Sequence, residues 1–222
     1  MTALGKSPTA QRLVYATLKK MFGDAVENYQ YLSVNPVLRK LKPGVAEKEA
    51  PHLNFSQVKA LLSHTEDKKY GLAIWIQIYL GLRVGELIAL RWEDIDLETG
   101  RIHIRRTYVT KTGLFREYPK GGKHHSHSIP VELVEKLSAA KKESTSPMVV
   151  TSPHSNRLPY KWYVKYLKEY CSELALPQIA THGLRHSTSE LYIHHGVIPG
   201  QKCPKSVHIS VDPVHTFSRK TL

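Results

Sequence analysis

From Tyr70 to Leu80 the chain is almost continuously apolar, and it then breaks at Gly81 and delivers an arginine, Arg83. A run this apolar has no polar face to give to water, so it predicts a helix buried on all sides at the centre of a domain. The longest apolar stretch, Leu72 to Leu82, contains Gln77 and is too short to span a bilayer. A chain of 222 residues holds one sizeable core, or one domain plus a fragment of another.

The flanking segments predict a mainly helical domain with a small antiparallel sheet. Ser7-Pro8 is an N-cap followed by proline at the first helical position. Leu13, Val14, Leu18, Met21, Phe22, Ala25 and Val26 then recur at helical spacing. Asn35-Pro36 opens a second short helical turn ending near Leu41. A two-helix piece cannot bury its own apolar stripe, so it packs on the rest of the chain or has lost neighbours. Lys42 to Pro51, with Pro43, Gly44 and several charges, has the composition of a linker. Asn54 caps a helix over Phe55 to Leu62, and Val84 to Leu90 forms the helix after the buried one. Arg101 to Val109 alternates as one strand, with Ile102 and Ile104 on one face. Lys111-Thr112-Gly113 turns the chain, Leu114 to Tyr118 returns, and Gly121-Gly122 turns it again before Ser128-Ile129-Pro130. Glu132 to Lys141, Tyr160 to Leu174 and Leu184 to His194 complete the helices. After Gly196, Pro199, Pro204 and Pro213 interrupt any helical period, which predicts an irregular tail.

Charge narrows the partner. The formal net charge is +13, and it is unevenly spread. Seven Lys/Arg residues but a single acidic one, Glu117, lie between Arg101 and Lys123. That local excess suits a polyanion, and Arg105, Arg106, Lys111, Arg116 and Lys123 are the candidate contacts to double-stranded DNA. Cys171 and Cys203 are the two cysteines, with no C-x-x-C pair, so neither a zinc module nor a disulfide framework is indicated. A cytosolic setting is expected. His125 and His127 share a strand face beside His124, but no carboxylate or cysteine nearby completes a metal set. They are expected to add conditional positive charge beside a nucleic-acid path. With no P-loop glycine pattern and no carboxylate cluster, other phosphate chemistries find no support.

Two short segments carry the chemistry. Arg83 and Arg185 each sit in a mostly apolar setting, where a lone guanidinium is costly without an anionic partner. Glu86, one turn after Arg83, either orients that guanidinium toward a phosphate or holds it in a structural ion pair. His182 and Arg185, three apart, share a helical face. There the imidazole is a proton acceptor and the arginine a stabiliser of charge on phosphate oxygens, unless they are merely a cap and a solvated cation. Lys120 stands beside two glycines at a hairpin tip, as a proton donor or a plain phosphate contact; Lys123 is the alternative for the same role.

The wording Gly-Leu-Arg-x-Gly-Glu-Leu-x-x-Leu-x-Trp-x-Asp-Ile-Asp over residues 81–96, followed by Thr181-His182-Gly183-Leu184-Arg185-His186, resembles the catalytic domain of the tyrosine recombinases, the phage-integrase family. The resemblance runs from about Leu53 to Gly196, and Ser7 to Leu41 resembles the last helices of that family's core-binding domain. It implies a helical remnant over 1–41, a linker over 42–52, a mainly α catalytic domain with a small antiparallel sheet over 53–196 and an atypical tail over 197–222. It also implies a bacterial or phage-derived, nucleoid-associated protein trimmed at both ends.

For an intact member the resemblance implies site-specific recombination through a 3′-phosphotyrosyl link, without metal, nucleotide or other cofactor. Arg83 and Arg185 would stabilise the five-coordinate phosphorus, His182 and Lys120 would transfer protons, and His208 would hydrogen-bond the phosphate. His208 lies 23 residues beyond Arg185, as the family spacing requires, but nine further on, where the family keeps its nucleophilic tyrosine, stands Phe217. A phenyl ring has no oxygen to attack phosphorus. Two explanations stand: a degenerate tail, or a reading-frame shift near residue 196. Either implies a chain that binds DNA without cutting it. The alternative is a non-enzymatic DNA-binding protein that modulates a full-length recombinase.

Overall fold

A computed structural model of the chain describes residues 5–44, 51–119 and 124–194. It divides into two compact units, Met1–Glu49 and Ala50–Leu222. Residues 45–50 of the expected linker and the whole expected tail lie outside the described residues. Among those described, no helix is long and apolar enough to cross a membrane.

In the first unit, helix α1 (Pro8–Glu27) starts where Ser7 Oγ accepts from the Ala10 N–H, with proline in its first turn. Asn35 does not open a second helical turn. Its side-chain amide instead donates to the Lys19 carbonyl at 2.9 Å, and its oxygen accepts from the Val37 N–H at 2.9 Å. An Asn side chain that bonds backbone competes with helix formation, so the turn comes later, as a 3₁₀ turn over Arg39–Leu41. No residue of α1 is buried, and Leu13 and Met21 of its apolar stripe are exposed.

The second unit is built around the apolar run from Tyr70 to Leu80. Helix α2 (Phe55–His64) begins in a capping box: Asn54 Oδ1 accepts from the Gln57 N–H, and Gln57 Oε1 accepts from the Asn54 N–H, both at 3.0 Å. Helix α3 (Gly71–Leu80) buries Ala73, Ile74, Trp75, Ile76, Ile78, Tyr79 and Leu80. Its one polar interior residue, Gln77, is satisfied on both sides: it donates to the Leu82 carbonyl at 3.0 Å and accepts from the Tyr163 hydroxyl at 2.8 Å. Around α3 lie α4 (Val84–Ile88), α5 (Val131–Glu143), α6 (Tyr160–Glu173) and α7 (Thr181–His194). Helix α7 starts three residues before the expected Leu184, because the Ala180 carbonyl already accepts from the N–H groups of Gly183 and Leu184. The Tyr192 hydroxyl donates to the Tyr79 carbonyl and ties α7 to α3.

The β structure differs from the expected single sheet. Strands β1 (Ile95–Asp96), β2 (Arg101–Ile104) and β5 (His125–Ser128) form one antiparallel sheet, with Ile95 opposite Ile102 and Ile102 opposite His127. Strands β3 (Thr107–Val109) and β4 (Leu114–Arg116) form a separate hairpin, with Tyr108 opposite Phe115. The expected strand over Arg101 to Val109 therefore breaks at Arg105-Arg106. The cause is local charge. Arg106 donates to Asp94 at 3.0 Å and to Glu93 at 2.7 Å, and Arg105 lies 3.7 Å from Asp94. Both acids sit in the 3₁₀ turn Trp92–Asp94, which draws the two arginines out of strand alternation.

Candidate active site

Arg83 is placed by its own backbone. It forms the N-cap of α4, and its N–H donates to Glu86 Oε2 at 2.9 Å while its guanidinium donates to Glu86 Oε1 at 3.0 Å. The Glu86 side chain has no exposure at all, whereas that of Arg83 is 46% exposed. One edge of the guanidinium thus neutralises a buried carboxylate, and the rest faces solvent. The two expectations for this pair merge: Glu86 makes a structural ion pair and, by making it, orients the arginine.

Arg185 projects from α7 onto the same place. Its guanidinium donates to the carbonyl of Gly81, two residues before Arg83. Gly81 ends α3 with φ near +58°, a left-handed conformation that L side chains rarely adopt, and Thr188 of α7 lies 3.4 Å from where a Cβ would stand. The carbonyl that Arg185 uses is therefore set by a turn that glycine permits. Burial lowers the Arg185 pKa, the Arg83 charge lowers it further, and Glu86 partly offsets both. Two guanidiniums with one carboxylate between them leave a single positive charge in a partly desolvated place. Such an arrangement has the charge and the free donors to hold one oxyanion.

Glycine also fixes what lies behind Arg83. A Cβ at Gly85 would stand 2.5 Å from the Tyr108 carbonyl and 2.7 Å from Thr107 Oγ1, so α4 packs directly on strand β3. The hairpin that carries Lys111 in its turn and Arg116 on β4 is thereby keyed to the helix of Arg83 and Glu86. Arg157 stacks its guanidinium 5.0 Å from the Tyr108 ring on the same hairpin. Nothing local to Arg157 in the sequence signals that contact.

The remaining candidates fall into three groups. His182 lies in the first turn of α7, exposed, with its ring edge-to-face against His186 at 4.4 Å. Arg105 is half exposed, but Arg106 is only 13% exposed and bound to Glu93 and Asp94, with Glu117 at 3.5 Å. Lys120, Lys123, His208 and Phe217 lie outside the described residues.

His125 and His127 do share a face of β5, their rings 5.1 Å apart. Among the described residues no group of three or more His, Cys, Asp and Glu side chains is placed to hold a metal ion. The expectation that these histidines carry conditional charge fails at His127. Burial first, then the neighbouring His125 and Arg185, push its pKa down to about 4 against the pull of Glu86. His127 is therefore a neutral ring within electrostatic reach of the arginine site, a placement that its spacing alone could not reveal.

Comparison with known proteins agrees with this architecture. The chain is 26% identical over 190 residues to the integrase of Mycobacterium phage L5, covering 81% of this chain and 50% of that protein. It is 31% identical over 126 residues to the shufflon-specific DNA recombinase of Escherichia coli, covering 55% of this chain and 32% of that one. It spans about half the length of the curated phage relatives it matches. The Tn1549 transposon integrase, solved in complex with a circular intermediate DNA, superposes with a TM-score of 0.72 at 18% identity, over 90% of this chain and 71% of that one. A lambda integrase tetramer bound to a Holliday junction gives 0.59 at 18% identity, over 94% and 61%. These two establish a shared fold. Residues 51–199 match the model of the phage integrase family, and the chain belongs to that family.

Proposed function

We propose that this chain binds double-stranded DNA as the catalytic domain of a site-specific tyrosine recombinase, seating one backbone phosphate between Arg83 and Arg185. The observation that carries the reading is the convergence of those two residues: Arg185 bonds the turn that leads into Arg83, and Glu86 anchors Arg83 beneath it. Solved relatives in complex with DNA support the same partner. In this reading the arginines hold the phosphate and stabilise charge that grows on its oxygens. His182 and the hairpin lysine, Lys120 or Lys123, transfer protons, and His208 completes the phosphate contacts. Arg105, Lys111 and Arg116 track the DNA backbone. The domain division at 1–41, 42–52, 53–196 and 197–222 belongs to this proposal, as does action on nucleoid DNA in a bacterial or phage setting.

A second reading is favoured by Phe217. With a phenyl ring at the family's nucleophile position, the chain would bind DNA and not form a phosphotyrosyl link. It would then act as a DNA-binding protein beside a full-length recombinase. One experiment separates the two. The purified chain is incubated with labelled duplexes carrying candidate attachment sites, denatured in detergent and run on a gel. Retarded label resistant to denaturation means covalent cleavage; binding in native gels without it means a non-cutting binder. Failure to bind DNA at low salt contradicts both.

A further inference from the structure

The loop before α6 holds an arginine that the phosphate site does not use. From Ser144 to Lys168 the chain has no acidic residue, and Arg157 stands exposed within that stretch. Its guanidinium lies 5.0 Å from the centroid of the Tyr108 ring, and that ring packs on Phe115 across the hairpin, centroids 5.0 Å apart. Among the described residues Arg157 makes no ion pair or hydrogen bond beyond this stack. The acids that adjoin the hairpin, Glu93, Asp94 and Glu117, are bound to Arg106.

A stacked guanidinium gives its flat face to the ring and keeps its N–H donors, which lie in the plane, along an open edge. That edge recognises a phosphate by two parallel hydrogen bonds. The ring also removes freedom that a bare surface arginine would lose on binding. The position follows from the strand. A Cβ at Gly85 would stand 2.7 Å from Thr107 Oγ1, so the Thr107 side chain is turned to α4. Successive side chains of a strand point to opposite faces. Tyr108, and Arg157 upon it, are therefore on the hairpin face turned away from α4, whose N-cap is Arg83. We propose, resting on the reading of this chain as a duplex-DNA binder, that Arg157 stacked on Tyr108 is a second phosphate-holding site. It takes a phosphodiester other than the one between Arg83 and Arg185, and Tyr108 acts through it as a positioning residue.

The test measures the affinity of the full chain for a random-sequence duplex of about 30 base pairs across a salt series. Wild type is compared with Arg157→Ala, Arg157→Lys, Tyr108→Phe, Tyr108→Leu, Arg185→Ala and the Arg157→Ala/Arg185→Ala double variant. Circular dichroism and thermal melting confirm that each is folded. Arg157→Ala should weaken binding about tenfold at low salt and reduce the log–log salt slope by about one unit, the signature of one lost phosphate contact. Arg157→Lys keeps the charge and should keep the slope, but without the planar fork it should bind about threefold more weakly. Tyr108→Phe keeps the ring and should match wild type, while Tyr108→Leu should lose about as much affinity as Arg157→Lys. The losses from Arg157→Ala and Arg185→Ala should add, because the two phosphates are held separately. An unchanged salt slope in Arg157→Ala means a merely structural arginine and overturns the proposal. Arg157→Lys or Tyr108→Leu binding like wild type overturns it too, as does strong coupling to Arg185. In each of those cases, duplex binding that Arg185→Ala weakens leaves the recombinase reading standing. A wild-type chain that does not bind duplex at low salt overturns that reading and this site together.

Discussion

Arg185 donates its guanidinium to the backbone carbonyl of Gly81, and Gly81 is the residue from which the chain turns to present Arg83. Two arginines separated by about a hundred positions are thus registered to each other through one peptide group. A change in the α3–α4 turn moves both.

The Arg83–Glu86 pair is asymmetric, and its two truncations should differ. Arg83→Ala leaves the fully buried Glu86 carboxylate without its ion partner, which should cost about 3 kcal/mol of stability. Glu86→Gln leaves Arg83 half exposed to water and should cost only about 1 kcal/mol. Urea unfolding of both variants checks this. Equal losses would mean that water reaches the carboxylate.

Gly85→Ala places a methyl group 2.5 Å from the Tyr108 carbonyl, against backbone that cannot simply rotate aside. Stability should fall by about 1–3 kcal/mol. DNA affinity should fall as well, because the β3–β4 hairpin must shift against α4. Unfolding and gel-shift titrations on the same preparation would show whether the two losses travel together.

The basic residues of the sheet region should separate into structural and DNA-facing groups. Lys111→Ala and Arg116→Ala are each expected to reduce the salt dependence of DNA affinity by about one unit of log–log slope. Arg106→Ala should leave the slope unchanged and instead cost about 3 kcal/mol of stability, since Asp94 is only 2% exposed and loses its main partner. Affinity measured across a salt series decides between them.

His127 gives the fold a pH dependence of known sign. Its folded pKa, about 4, lies below the ordinary imidazole value of 6.5, so the unfolded chain takes up the proton first as pH falls. This residue contributes nothing to the pH dependence above about pH 7, and it costs the native state progressively more between about 6.5 and 4, to a total of about 3 kcal/mol. Urea midpoints at pH 7 and pH 5 should therefore converge in His127→Gln relative to wild type.

Much of the fold was legible in the residues because its signals are local. The Asn54 capping box, the Ser7-Pro8 helix start and the apolar run of α3 each lie within a few positions of what they cause. The site motifs around Arg83 and Arg185 stand in the sequence for the same reason. What escaped depends on partners distant in the chain. The strand break at Arg105-Arg106 needs Glu93 and Asp94; the capture of Arg106 needs them too. Nothing near Tyr192 in the sequence announces the Tyr79 carbonyl that its hydroxyl reaches. His127 looks like one of a row of solvated histidines until burial beside Arg185 is known.

The central claim is that Arg83 and Arg185 grip one phosphate, and a double-mutant cycle on duplex affinity tests it most directly. Lysine at either position keeps the charge and removes the planar fork, so each single variant should lose affinity. If both arginines act on the same phosphate, the Arg83→Lys/Arg185→Lys double variant should lose clearly less than the two single losses combined, with a coupling of about 1 kcal/mol or more. Strict additivity would mean that the two guanidiniums touch the DNA independently, and would contradict the shared clamp.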